Sequence, residues 1–259
     1  MRRTLVTTGL VVLTLALCSP AAIAANRPKA KHSNQPSAPS IGVLPVIPCS
    51  TTYGAGSPPS PFVARQLPTT SSTRGVSFYS NGLLTVLAPS GWACSALVAG
   101  DGGQRLDVYP PGKPDYASEL PPKGAVLVEV QGEYTGHIPG AQLVCRLFPK
   151  SAAASEVNQD GLPGHQCQAP TDEKTIQLTP DVVAFNDPAG VTGTGSGSGG
   201  SLSSIGAVMY PQLAFSATDS VNVAVLSCTL PANQATLCRA IEGDFLVRNP
   251  PTYVPQNNQ

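Results

Sequence analysis

The chain of 259 residues balances 15 basic against 15 acidic side chains, and only 12% of its residues are charged while 41% are hydrophobic. A zero net charge offers none of the cationic field that phosphate backbones require, so no nucleic-acid partner is expected, and the apolar share is enough for a buried core rather than wholesale disorder. With 25 glycines and 27 prolines, the chain favours turns and extended segments over long helices.

Residues 1–25 have the order of a cleavable signal peptide. Arg2 and Arg3 open it, residues 5–17 are largely apolar, and Ala22-Ile23-Ala24 supplies the small residues that a signal peptidase needs. The apolar run is short for a membrane span, and no later segment reaches about 18 apolar residues, so no transmembrane segment is expected after cleavage. Leu15-Ala16-Leu17-Cys18 offers the alternative of an envelope lipoprotein anchored through Cys18. Leu17 is bulky for the position before a lipidated cysteine, which favours free secretion.

Cleavage leaves Cys49, Cys94, Cys145, Cys167, Cys228 and Cys238. An even number in an exported chain predicts three disulfides, with fifteen connectivities formally open. Local contacts favour pairing in sequence order. Cys228 and Cys238 flank a strand-to-helix turn, Cys145 and Cys167 bracket one polar loop, and Cys49 is left for Cys94. A metal site is the competing reading of cysteines, but no C-x-x-C pair occurs, and His32 falls in the expected linker. That leaves His137 and His165 in the expected folded region, so neither a metal nor a cofactor is expected.

Residues 26–74 are rich in Pro and Ser and read as an extended linker, tied down only where Cys49 fastens it. A single globular domain is expected over residues 75–248, with a polar tail over 249–259. It opens with a hairpin: Val76-Ser77-Phe78-Tyr79 and Leu83-Leu84-Thr85-Val86-Leu87 flank Asn81-Gly82, both of which tolerate positive φ. Ala88-Pro89-Ser90-Gly91 makes a second turn, after which Trp92 packs on the hairpin. Further strands are predicted over 95–99, 105–109, 125–130, 143–148, 175–178, 182–185, 205–210 and 221–228.

One helix is predicted over 233–246, where Leu237, Cys238, Ile241 and Phe245 recur at intervals of three and four. Thr229 or Asn233 is placed to cap it. Alternation in the preceding strand puts Cys228 on one face with Ala224 and Leu226, so a Cys228–Cys238 bridge would staple the helix to that face. The predicted fold is mainly β within the α+β class: an antiparallel sheet or sandwich with one C-terminal helix, disulfide-stapled. Residues 190–204 are Gly/Ser-rich and read as a flexible surface loop within the domain. They lack the Gly-Lys-Ser/Thr ending of a phosphate cradle and the spacing of a serine-hydrolase elbow.

No catalytic set emerges. His165 lies close to Cys167, but a thiolate–imidazole pair needs a free cysteine. Glu129 is the one charge in an apolar strand and reads as a solvated side chain near its end. An alternative hydrolase reading would gather Glu129, Glu133, His137 and Asp187 from across the chain. Trp92, the only tryptophan, reads mainly as core; together with Tyr79 and Tyr109 it is also a candidate for an aromatic binding surface, with Tyr116 in reserve.

Three stretches carry a resemblance: Val86-Leu87-Ala88-Pro89-Ser90-Gly91-Trp92-Ala93-Cys94, Asn186-Asp187-Pro188-Ala189-Gly190-Val191 with the glycine run after it, and Leu237-Cys238-Arg239-Ala240-Ile241. Together they resemble uncharacterised secreted proteins of actinobacteria that share a Pro-x-Gly-Trp-x-Cys motif. The resemblance covers roughly residues 75 to 247. It implies export and an actinobacterial origin, and it supplies no catalytic residues. The expectation is therefore a secreted or envelope-associated domain, more a binding or interaction module than an enzyme, whose partner is an envelope component or another protein.

Overall fold

A computed structural model describes residues 42–54, 63–69, 74–100, 103–113, 115–116, 120–132, 143–151, 154–155, 167, 172–210 and 223–249. The expected signal peptide, Glu133, His137, His165 and most of the C-terminal tail lie outside the described residues. Twelve strands are described: β1 (Gly42–Pro48), β2 (Ser50–Tyr53), β3 (Gln66–Thr69), β4 (Val76–Ser80), β5 (Thr85–Pro89), β6 (Ala93–Val98), β7 (Gln104–Tyr109), β8 (Leu127–Gly132), β9 (Lys174–Thr179), β10 (Val182–Asp187), β11 (Ser204–Met209) and β12 (Ala224–Thr229). The helix α1 (Ala235–Arg248) follows them. They form a four-stranded sheet in the order β3-β1-β4-β5 and an eight-stranded sheet in the order β2-β6-β7-β8-β12-β11-β10-β9. The mainly β architecture with one C-terminal helix agrees with the expectation. Both sheets are mixed, because β1 pairs parallel with β4 and β2 parallel with β6.

The ordered fold begins earlier than Gly75. Residues assigned to the linker form β1, β2 and β3, and β1 is an inner strand of the four-stranded sheet. Alternation in Gly-Val-Leu-Pro-Val-Ile-Pro is the reason: Leu44 and Val46 point inward while Val43, Pro45 and Ile47 point out. The prolines hid this strand, although the alternating apolar residues between them were visible. Cys49 sits at the crossing from β1 to β2, where the chain passes from one sheet to the other.

The main core lies between the two sheets. One face of the large sheet contributes Leu106, Val108, Val128, Val130, Ala207 and Leu226, and the small sheet contributes Val46, Val76, Phe78 and Val86. Helix α1 adds Cys238, Ile241 and Phe245 and packs on β11, β12 and β5. The three disulfides pair in sequence order, Cys49–Cys94, Cys145–Cys167 and Cys228–Cys238. The last does staple α1 to its sheet face.

Three local expectations change. Residues 143–147 are helical, where a strand was predicted; Val144, Leu147 and Phe148 pack on Val183, Phe185 and Val208, on the face of the large sheet opposite α1. A short apolar run does not distinguish strand from helix, and here the packing decides. The hairpin loop is four residues long, with Ser80 facing Thr85, because Asn81 Oδ1 accepts the N–H groups of Leu83 (3.1 Å) and Leu84 (2.8 Å). Gly82 takes the positive φ that the turn requires, at 89°. Finally, neither Thr229 nor Asn233 caps α1. Its start is a 3-10 turn, Ala232–Gln234, launched by Pro231, and Thr229 bonds within the sheet instead.

Candidate functional site

The two faces of the large sheet differ in chemistry. The face opposite α1 carries a buried polar row flanked by the apolar cluster around Phe148 and Tyr210. Strand alternation sets Asp107 of β7 directly across from Glu129 of β8, and Glu129 across from Ser227 of β12. All three are at most 1% exposed. Arg105 Nε donates to Asp107 Oδ2 at 2.9 Å. Glu129 Oε1 accepts from Gln131 Nε2 and from Ser196 Oγ. Farther along the row, Ser204 Oγ lies 3.1 Å from Ser227 Oγ and 2.8 Å from Thr229 Oγ1.

Residues 190–204 lie on the Glu129, Ser227 and Ser204 part of this row and are not the flexible surface loop the composition suggested. Gly195 donates its N–H to Asp187 Oδ2 at 2.8 Å, and Ser196 donates its N–H to Ser227 Oγ at 3.2 Å. Gly195, Gly197 and Ser198 are buried. Methyl groups added to Gly193, Gly195 and Gly197 would overlap Asp187, Ser204 and Thr229 respectively. These glycines are small because the loop backbone lies directly on sheet side chains. A readable signal existed: glycine at every second position from 193 to 199 is strand-like spacing with one face stripped to hydrogen. Arg146 pairs with Glu173, and Thr194 Oγ1 donates to Glu173 Oε1 at 2.6 Å, fixing the loop's outer side.

Burial controls the protonation of this face. Loss of solvent pushes the Asp107 carboxyl up to about 9, reinforced by the Glu129 charge opposite and opposed by Arg105. Asp187 rises to about 7, again through burial; Glu173 adds to the rise, while the Gly195 N–H and Arg146 oppose it. Oδ1 of Asp107, Oε2 of Glu129 and Oδ1 of Asp187 find no donor among the described residues. A proton retained by Asp107 supplies a donor toward Glu129.

Of the three aromatic binding candidates, Tyr79 and Tyr109 are buried and Trp92 is partly exposed. Tyr79 is 0% exposed; its hydroxyl donates to the Pro89 carbonyl (2.7 Å) and accepts the Trp92 N–H (3.0 Å), tying the turn to the hairpin. Tyr109, 5% exposed, donates to Ser95 Oγ and meets Tyr116 edge-on at 4.9 Å between centroids. Trp92 is half-buried against the main core. Glu129, expected to be solvated, is buried. Period-two alternation in Leu127-Val128-Glu129-Val130-Gln131 set it on a face with Gln131, and the apolar neighbours of the other face masked that face's polarity. Glu129 and Asp187 reach adjacent residues of one loop, Ser196 and Gly195, without bonding each other.

An accessible recess lies elsewhere. A groove of about 580 Å³ opens where β3, the β4–β5 loop and the C-terminal end of α1 meet. Leu67, Leu83, Leu84, Val130 and Val247 make its apolar walls; Leu83 is 51% and Val247 64% exposed. Its polar end is an internally matched pair. Arg248 Nε donates to Asp244 Oδ2 at 2.7 Å, and Thr69 Oγ1 donates to Asp244 Oδ1 at 3.2 Å. The guanidinium also lies 4.0 Å over the Phe78 ring and donates to the Pro68 carbonyl. This recess was not legible in the sequence, since its walls come from segments far apart in the chain.

Among the described residues, no group of three His, Cys, Asp or Glu is placed to hold a metal ion, and no helix is long and apolar enough to cross a membrane. No family model, curated protein or solved structure matches the chain.

Proposed function

We propose that this chain is an exported, non-enzymatic binding domain whose ligand is an uncharged amphiphile held in the groove beside Leu83 and Val247. The observation that carries the reading is a contrast of access. The carboxyls suited to acid–base chemistry are buried, whereas the groove at β3, the β4–β5 loop and α1 is open, apolar-walled and internally charge-balanced. Its volume falls within the common range for small-molecule sites, roughly 300–1,000 Å³. Arg248 and Asp244 neutralise each other, so a net charge on the ligand would gain little, while an apolar body would cover exposed leucine and valine.

Export is supported by the leader sequence and by three disulfides, which persist in oxidising compartments. The likeness to actinobacterial secreted proteins points the same way, with release or envelope anchorage through Cys18 as alternative destinations. Titrating the mature protein with Nile red, an uncharged fluorescent amphiphile, tests the reading. Saturable binding is expected, weakened about tenfold in Leu83→Ser and Val247→Ser, where covering the site no longer removes a branched side chain from water. Binding unchanged in both variants would place the ligand site elsewhere.

A second reading, a secreted hydrolase, rests on the directly opposed Asp107 and Glu129 carboxyls. Ester or glycoside turnover that disappears in Glu129→Gln, with the fold retained by circular dichroism, would establish it in place of the binding role.

A further inference from the structure

The carboxyl face beneath the glycine loop has more acids than cations. Asp107, Glu129, Asp187 and Glu173 meet only two guanidiniums, Arg105 and Arg146, among the described residues. The facing residues on β6, β11 and β12 are uncharged: Ser95, Ser204, Ser227 and Thr229. Lys123 approaches the far end of the loop at Gly199 but is exposed, and Asp115, next to the Tyr116 carbonyl that Arg105 donates to, adds a further negative charge near Tyr109. Among the described residues the carboxyls of this face thus outnumber its guanidiniums, and Asp187, out of contact with solvent and with Oδ1 unpartnered, is stabilised by a bound proton. The loop creates this condition, because its backbone keeps water from Asp187, and Ser196 covers Glu129.

We propose that residues 190–204 form a proton-dependent clamp, seated on the carboxyl face of the large sheet while the buried Asp187 carries its proton, and lifting away as that proton is lost. Lifting returns water to the acids and exposes a row of carboxyl and hydroxyl groups that the seated loop conceals. The direction follows from linkage. An acid held above its solvated pKa binds its proton more tightly with the loop seated, so seating is favoured most in acid. That advantage fades as pH rises through the interval between the two values. For Asp187 the interval runs from 3.8 to about 7.

Amide hydrogen exchange on the full mature protein, disulfides intact, reads the clamp directly. Rates for residues 192–203 are corrected for intrinsic base catalysis and normalised to β12. Between about pH 5 and about pH 7 their protection should fall by up to about tenfold per pH unit, the slope of one proton, and level off above that interval. Asp187→Asn, neutral at every pH, should flatten this fall. Protection independent of pH in the unsubstituted protein, or an undiminished fall in a folded Asp187→Asn, would overturn the proposal. Should that variant not fold, ¹³C-carboxyl NMR of the unsubstituted protein decides. Asp187 titrating near neutrality in step with the loss of protection sustains the clamp, and titration in the ordinary carboxylate range removes it.

Discussion

Gly195 shows how little room the covering loop has at the level of single residues. Its N–H serves Asp187, and a Cβ there would run into Ser204, whose hydroxyl already bridges Ser227 and Thr229. Gly195→Ala should therefore destabilise the protein by about 1–3 kcal/mol through overpacking. The check is chemical denaturation, with no loss expected for Gly243→Ala, whose added methyl meets nothing in an exposed helical position. Tyr79 and Tyr109 belong to the same scale. An aromatic side chain is equally suited to a core and to a binding surface, and only burial tells which it has become. In the sequence the two readings were indistinguishable.

At the level of elements, the β4–β5 hairpin depends on one side chain. Asn81 Oδ1 accepts two backbone N–H groups of its own loop, and Ser80 Oγ donates to the Leu84 carbonyl at 2.8 Å. Replacing Asn81 with Ala leaves both amides without that acceptor and should cost about 1–3 kcal/mol, read as a shift of the denaturation midpoint. The same loop presents Leu83 to the groove, so Asn81→Ala should also weaken Nile red binding. Helix α1 gained its place differently. Its apolar residues at 238, 241 and 245 were legible as a helical stripe, and the bridge to Cys228 was legible from the alternation of β12. The buried acids Glu242 and Asp244 were not, because each is held by an arginine on the same helix, Arg239 and Arg248. Asp244 also receives Thr69 from a strand that the proline content had concealed.

For the whole molecule, the proton balance makes a measurable demand. Asp107 and Asp187 are both raised, chiefly by burial, so the folded state binds more protons than the unfolded chain between 3.8 and the raised values. Stability must then decline with rising pH across that interval, and thermal melting at about pH 5 should occur at higher temperature than at about pH 8. A melting temperature that rises over this range would contradict the burial of these acids. The crosslinks make a second demand. Mature protein should show no free thiol under denaturing, unreduced conditions, and reduction should lower the melting temperature, each bridge contributing about 2–4 kcal/mol.

Local pattern alone determined much of this protein. β-prone runs between turns announced most strands of the large sheet, the three-and-four spacing announced the helix, and cysteine order anticipated the bridges. Each rests on contacts close in the chain, or on a face that repeats along one element. Tertiary structure decided what lies between elements. It turned a proline-rich stretch into an inner strand, folded a glycine run onto a sheet, and aligned Asp107 with Glu129. It also assembled a groove from β3, a hairpin loop and a helix end. Burial is a property of neighbours far away in sequence, and the acids owe their protons, as the glycines owe their smallness, to those neighbours.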